Sequence, residues 1–219
     1  MGWVTAYVLA KKYADTKVVQ PDNETLEAVD GILRVKDGGI TPSKLSFGTW
    51  EKIADVTLSS VSSVSITGLD GDTDKMYRIV IYGKVTVTTY PEWILLKPNG
   101  TTISTECILF HRRWDGPNAS ASTNVTHTTQ DGFVLLKYFR SDLSSSAGAV
   151  FVDAVLNAQT GFPRVCLSNA FNDDSSSEAR YFHFDIASEW YDTTTNITSF
   201  DISLTAGTLD GRLLVFKVL

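Results

Sequence analysis

From Trp50 onward the chain alternates. In VSSVSIT, RIVIYGKV and YFHFDIA, apolar and polar residues trade places with a period of two, which sets successive side chains on opposite faces of a strand. Phe182, Phe184 and Ile186 share one face, and Tyr181, His183 and Asp185 the other. In RLLVFKVL, Leu214, Phe216 and Val218 face one way. The pattern predicts strands near 50–58, 61–67, 76–88, 92–97, 105–114, 132–140, 149–156, 163–169, 179–189, 197–204 and 211–219. Turn signals such as PNGTT, QDG, NAQTG, NDDSSS and LDG separate them. Turns spaced by roughly eight to twelve residues, with no helical pattern between, indicate an all-β antiparallel sandwich or barrel. The stretch 115–131 (DGPNASASTNVTHTTQD) is polar and lacks a core pattern, so it is expected to be an exposed functional loop.

One segment departs from this period. Trp3, Tyr7, Ala10, Ala14 and Val18 recur at threes and fours, predicting a short amphipathic helix over residues 1–19 that Pro21 ends. Its narrow apolar stripe is expected to dock on the body, a symmetry mate or a larger assembly. Residues 20–49 read as a connector arm, with a short strand in GILRV followed by the breakers Gly38, Gly39 and Pro42. Residues 50–219 form the β-domain.

Residues 69–77 (LDGDTDKMY) carry Asp70, Asp72 and Asp74 two apart. A calcium-binding helix–loop–helix needs glycine at loop position six and glutamate at twelve. Counting from Asp70, those positions hold Lys75 and Ile81. The better reading is a tight turn joining two antiparallel strands, with Asp70-Gly71 supplying the hairpin signal and Gly71 the positive φ. The three aspartates stay as weak metal candidates.

Net charge is −6, with pI about 5.0, which argues against a nucleic-acid-binding surface. No apolar run reaches membrane-spanning length. The lysines near the N-terminus follow the apolar residues, the wrong order for a secretory signal. Ala6 stands where a myristoylation motif wants serine or threonine. Cys107 and Cys166 each lie in an apolar strand-like run, where buried free thiols are expected and a disulfide between them stays open. The chain has 21 Ser and 25 Thr. Five asparagines, Asn23, Asn99, Asn118, Asn124 and Asn196, begin Asn-X-Ser/Thr triplets, which are acceptors where a host glycosylates.

Catalytic signals are sparse. His111, His127 and His183 show no metal spacing, there is no G-x-S-x-G, and no phosphate-cradling loop occurs. Neither enzyme activity nor a cofactor is expected. Aromatics on a sandwich also stack on sugars. Trp114, Trp190 and Tyr191, with Asp115, Asn118 and Asp192 as hydrogen-bond partners, are the candidate glycan or receptor contacts. The alternative is that Trp93 is core and that Trp114 and Trp190 cap strand ends.

Several stretches in order resemble viral structural proteins. VLAKKYADTKV resembles the short helix that opens many tailed-phage virion proteins, and VKDGGITPSKLSF the element before phage fibre and tail domains. WEKIADVTLSSVSSVSITGLDGDTDKMYRIVI is similar to the start of a β-sandwich found in phage tail, fibre and baseplate proteins and in archaeal virus vertex (turret) proteins. LKPNG resembles a strand end of that domain, and ITSFDISLTAGTLDGRLLVFKVL its final hairpin. The middle, 99–180, matches little. The resemblance implies a jelly-roll-like sandwich at the virion surface, assembled in the host cytoplasm. It also implies partners among virion proteins and itself, as homotrimer or homopentamer, with a host-surface glycan as a further partner and no catalytic residues. The competing expectations are a free-standing carbohydrate-binding module and, less favoured, a glycan hydrolase.

Overall fold

The computed structural model describes residues 26–29, 32–35, 50–87, 92–115, 122–138, 147–174 and 180–218. The expected helix over 1–19, with Trp3, Tyr7, Ala10, Ala14 and Val18, lies outside them, as do Asn23 and Asn118. The chain divides into two compact units, residues 1–49 and 50–219. In the first, β1 (Leu26–Val29) and β2 (Ile32–Val35) pair antiparallel.

The second unit is all-β, with antiparallel sheets in two layers. The large sheet contains β3 (Trp50–Val61), β5 (Met76–Thr86), β7 (Thr105–Asp115), β8 (Ser122–Gln130), β10 (Ala147–Asn157), β11 (Arg164–Asp174), β12 (Arg180–Trp190) and β14 (Thr208–Val218). The small sheet contains β4 (Ser63–Thr67), β6 (Glu92–Pro98), β9 (Phe133–Tyr138) and β13 (Ser199–Leu204). Strand order is β3-β14-β5-β10-β11-β12-β7-β8 in the first and β4-β13-β6-β9 in the second.

The core follows from the alternation. Ile79 and Ile81 of β5, Val152 and Ala154 of β10, and Phe184 of β12 point inward and are fully buried. The small sheet meets them with Phe200 and Ile202 of β13. Strands β6 and β9 break the period. Ile94, Leu95 and Leu96, and Phe133 through Leu136, are buried consecutively, the signature of strands covered on both faces. Although β9 is the edge of its sheet, large-sheet hydroxyls bind its backbone. Ser188 accepts from the Val134 N–H at 3.1 Å, and Ser168 donates to the Leu135 carbonyl at 2.6 Å.

Three local expectations are corrected. The LDGDTDK segment is not a hairpin turn. It forms a single helical turn, α1 (Gly71–Asp74), and its flanking strands β4 and β5 belong to different sheets. Gly71 is there for space rather than for positive φ: a Cβ would stand 2.8 Å from the Ala158 carbonyl. The positive φ falls instead on Lys75 (61°) and Gly68 (77°). The stretch 115–131 is not one long loop, because Ser122–Gln130 is the edge strand β8. Its threonines suit a strand, but it borders only β7 and has no apolar alternation to show it. The final hairpin also dissolves, since β13 and β14 lie in different sheets.

Candidate contact surface on the large sheet

The outward residues of the large sheet are unusually apolar. Among the described residues nine large apolar side chains are exposed. Seven lie on this face: Met76, Tyr82, Ile108, Phe110, Val125, Phe151 and Leu167. Scattered exposed apolar residues are ordinary, but a cluster on one face marks a contact surface.

Cross-strand register sorts this face into rows. Asp153, Asn169, Asp185 and Phe110 are successive partners across β10, β11, β12 and β7. One step along the strands, Val155, Leu167, Ala187 and Ile108 are partners in the same way. A polar row therefore runs beside an apolar row. Between them lies a cleft of about 580 Å³, open to solvent, closed at one end by Trp50 and Arg78 and at the other by Phe110.

The polar groups are ordered. Arg78 donates from Nε and Nη2 to the two oxygens of Asp153, at 2.8 and 2.7 Å, a bidentate pair. Its carboxylate partner raises the Arg78 pKa. Asn169 Nδ2 donates to Asp185 Oδ1 at 2.9 Å and stands 3.0 Å from His183 Nε2.

Of the residues expected from sequence to form a site, Trp190, Tyr191 and Asp192 each turn to a different partner. Trp190 is half-buried, with its ring edge-on to Phe133 at 6.5 Å between centroids, a packing role. Tyr191 is exposed, and its hydroxyl donates to Glu106 Oε2 at 3.3 Å. Asp192 turns back on its own loop. It accepts from the N–H and hydroxyl of both Thr194 and Thr195, and these bonds, the Thr195 hydroxyl foremost, hold its carboxyl well below the usual range. Trp93 is a core residue with Lys137 Nζ 4.7 Å from its ring centroid. Trp114 and Asp115 end β7.

The three aspartates of 70–74 also diverge. Asp70 caps α1 through Thr73 and accepts from Asn196 Nδ2, Asp72 accepts from the N–H and hydroxyl of Thr160, and Asp74 accepts from the Tyr77 hydroxyl at 2.6 Å. Among the described residues no group of three or more His, Cys, Asp or Glu side chains is arranged to hold a metal ion. Two sequon asparagines are internal staples. Asn99 Nδ2 donates to the Asn196 carbonyl, and Asn196 Nδ2 to Asp70. A glycan would take that same nitrogen. Asn124 lies on β8.

Cys107 and Cys166 are free and buried. Both are register partners of Ser188, one on each side of β12. Two strand spacings put their Cα atoms roughly 10 Å apart, beyond the roughly 7 Å limit of a disulfide. Burial pushes the Cys166 thiol up to about 12. Among the described residues no helix is long and apolar enough to cross a membrane.

Arg78, Phe110, Asp153, Asn169 and Asp185 were not singled out by sequence. Alternation had placed Asp185 and His183 on one polar face, but only register brings them beside residues of four other strands. Comparison with known proteins returns no matching family, no similar curated protein and no similar solved structure.

Proposed function

We propose that this protein is a non-enzymatic structural component of a virion, displayed on a tail or capsid vertex, where it contributes to assembly and host attachment. The observation that carries this reading is the apolar outer face of the large sheet, with seven exposed large side chains on a closed two-layer body. Such a face exists to touch something. Chain path gives further support. Successive strands alternate between layers, with β3 large, β4 small, β5 large and β6 small, and the same exchange recurs at β9, β13 and β14. This winding favours the jelly-roll-like architecture that the sequence resemblance implies. Residues 1–49 would then serve as the anchor in a homotrimer or homopentamer.

Hydrolysis of glycans is disfavoured by the groove itself. Strand spacing sets Asp153 and Asp185 roughly 10 Å apart, but both Asp153 oxygens are taken by Arg78, so the paired-carboxylate arrangement of a glycosidase is incomplete. A free-standing carbohydrate-binding module is the second reading, favoured by the polar and apolar rows side by side. Light scattering on the purified chain separates the two. A trimer or pentamer supports the virion component, and a monomer selects the binding module. Locating the chain in images of an intact particle tests the first reading directly.

A further inference from the structure

We infer that the groove across β10, β11, β12 and β7 binds a neutral oligosaccharide lying across the strands. This rests on the attachment reading and names the ligand class. The groove is two-sided in chemistry. Val155, Leu167 and Ala187 offer an apolar strip, and Phe110 stands half-exposed at one end. Beside them run Asp153, Asn169 and Asp185. A pyranose has the same division, with C–H groups on its ring faces and hydroxyls around its rim. Aromatic and aliphatic surfaces take the former, and carboxylate and amide groups the latter.

The hydrogen-bonding complement favours hydroxyls. Asp153 is held by Arg78 through both oxygens and serves as a fixed wall. Asp185 lines the groove and accepts from Asn169 through Oδ1, which leaves Oδ2 as an acceptor. The Asn169 amide nitrogen is committed to Asp185 and His183, which leaves its carbonyl oxygen as a second acceptor. Two acceptors side by side suit a ligand that donates from adjacent hydroxyls. An acidic sugar would set its carboxylate against Asp185, and the guanidinium that lines the groove, Arg78, is already paired with Asp153, so neutral chains are favoured over sialylated and uronic-acid ones. A purely apolar ligand would bury Asn169 and Asp185 without replacing their water, which opposes its binding. Neither Trp190 nor Asp192 takes part.

The test uses the full chain on a surface carrying neutral trisaccharides of hexoses and N-acetylhexosamines beside sialylated and uronic-acid trisaccharides, with light scattering on the same samples. At least one neutral series should bind and the acidic series should not. Phe110→Ala and Asp185→Ala should each weaken that binding by about tenfold or more, and Tyr191→Ala should leave it unchanged. Leu167→Ser serves as a second exposed groove variant should Phe110→Ala fail to fold. Absence of binding to every sugar overturns the inference, as does preference for acidic chains or indifference to the groove variants. Loss of self-association in Phe110→Ala would show a second copy in the groove and would also overturn it. The virion reading fails separately, by a monomeric wild-type chain, whatever the sugars show.

Discussion

Ser168 on β11 donates its hydroxyl to the backbone carbonyl of Leu135 on β9, 2.6 Å away and wholly inside the sandwich. The bond joins the two layers at the place where the small sheet would otherwise present an unpaired edge to the core. Ser168→Ala deletes the donor and leaves the carbonyl buried. The expected loss is about 1–3 kcal/mol, which lowers Tm by roughly 2–4 °C for each kcal/mol in a chain of this size. Ser168→Thr keeps a hydroxyl at the cost of one methyl and should lose less. Calorimetric unfolding of both variants decides it; equal Tm values for Ala and wild type would show the bond is dispensable.

Arg164 organises the loop after β12 in a comparable way. Its side chain is fully buried, and its guanidinium donates to the carbonyls of Phe162 (2.6 Å), Thr195 (2.7 Å) and Asp192 (3.3 Å). Arg164→Met retains most of the packing volume but orphans three carbonyls. A destabilisation of about 3 kcal/mol is expected, with hydrogen exchange accelerating first at residues 192–196. An unchanged exchange pattern there would remove the organising role.

These two residues show which parts of the fold the sequence displays. Period-two alternation announces Phe184 and Ile186 as inward residues, because burial on one face leaves that trace. It cannot announce Ser168 or Arg164, whose inward-facing polar groups look like surface residues until their carbonyl partners are known. Strand β8 was hidden for the opposite reason, since Val125 and His127 face solvent and leave no apolar period. Turn chemistry is local, so the Asp70-Gly71 pair by itself signals a hairpin. Whether the next strand stays in the same sheet is decided by distant contacts, such as Leu69 donating to the Thr198 carbonyl and Ala158 to that of Lys75. The contact surface was legible only as faces of single strands, because register across β10, β11, β12 and β7 is not written in any one of them.

Asp192 should give the protein part of its acid sensitivity. Its ordinary value is 3.8, and bonds from Thr195 and Thr194 depress it in the folded state. The folded carboxylate therefore binds its proton less readily than the unfolded one. Its contribution is present in full above the unfolded value and is lost as pH falls from there through the folded value. Asp192→Asn, which cannot ionise, should lower Tm at neutral pH and show a shallower decline below about pH 4. Thermal melts across the acid range check this. A constant offset between the two curves down the whole acid limb would assign the sensitivity elsewhere.

The described core of the second unit runs from Leu58 to Val215, and its two sheets draw on strands from Trp50 onward. Folding of that unit should therefore not depend on what precedes it. Deleting residues 1–45 is expected to leave a soluble domain with one cooperative unfolding transition near that of the full chain. The Trp3–Tyr7–Ala10–Ala14–Val18 stripe is removed by the same deletion, so the shortened chain should run as a monomer in light scattering, whereas the full chain is expected to associate. A shortened chain that unfolds would place residues before Trp50 in the core. One that still assembles would move the self-contact onto the sandwich, with the apolar outer face of the large sheet the first surface to probe by Leu167→Asp.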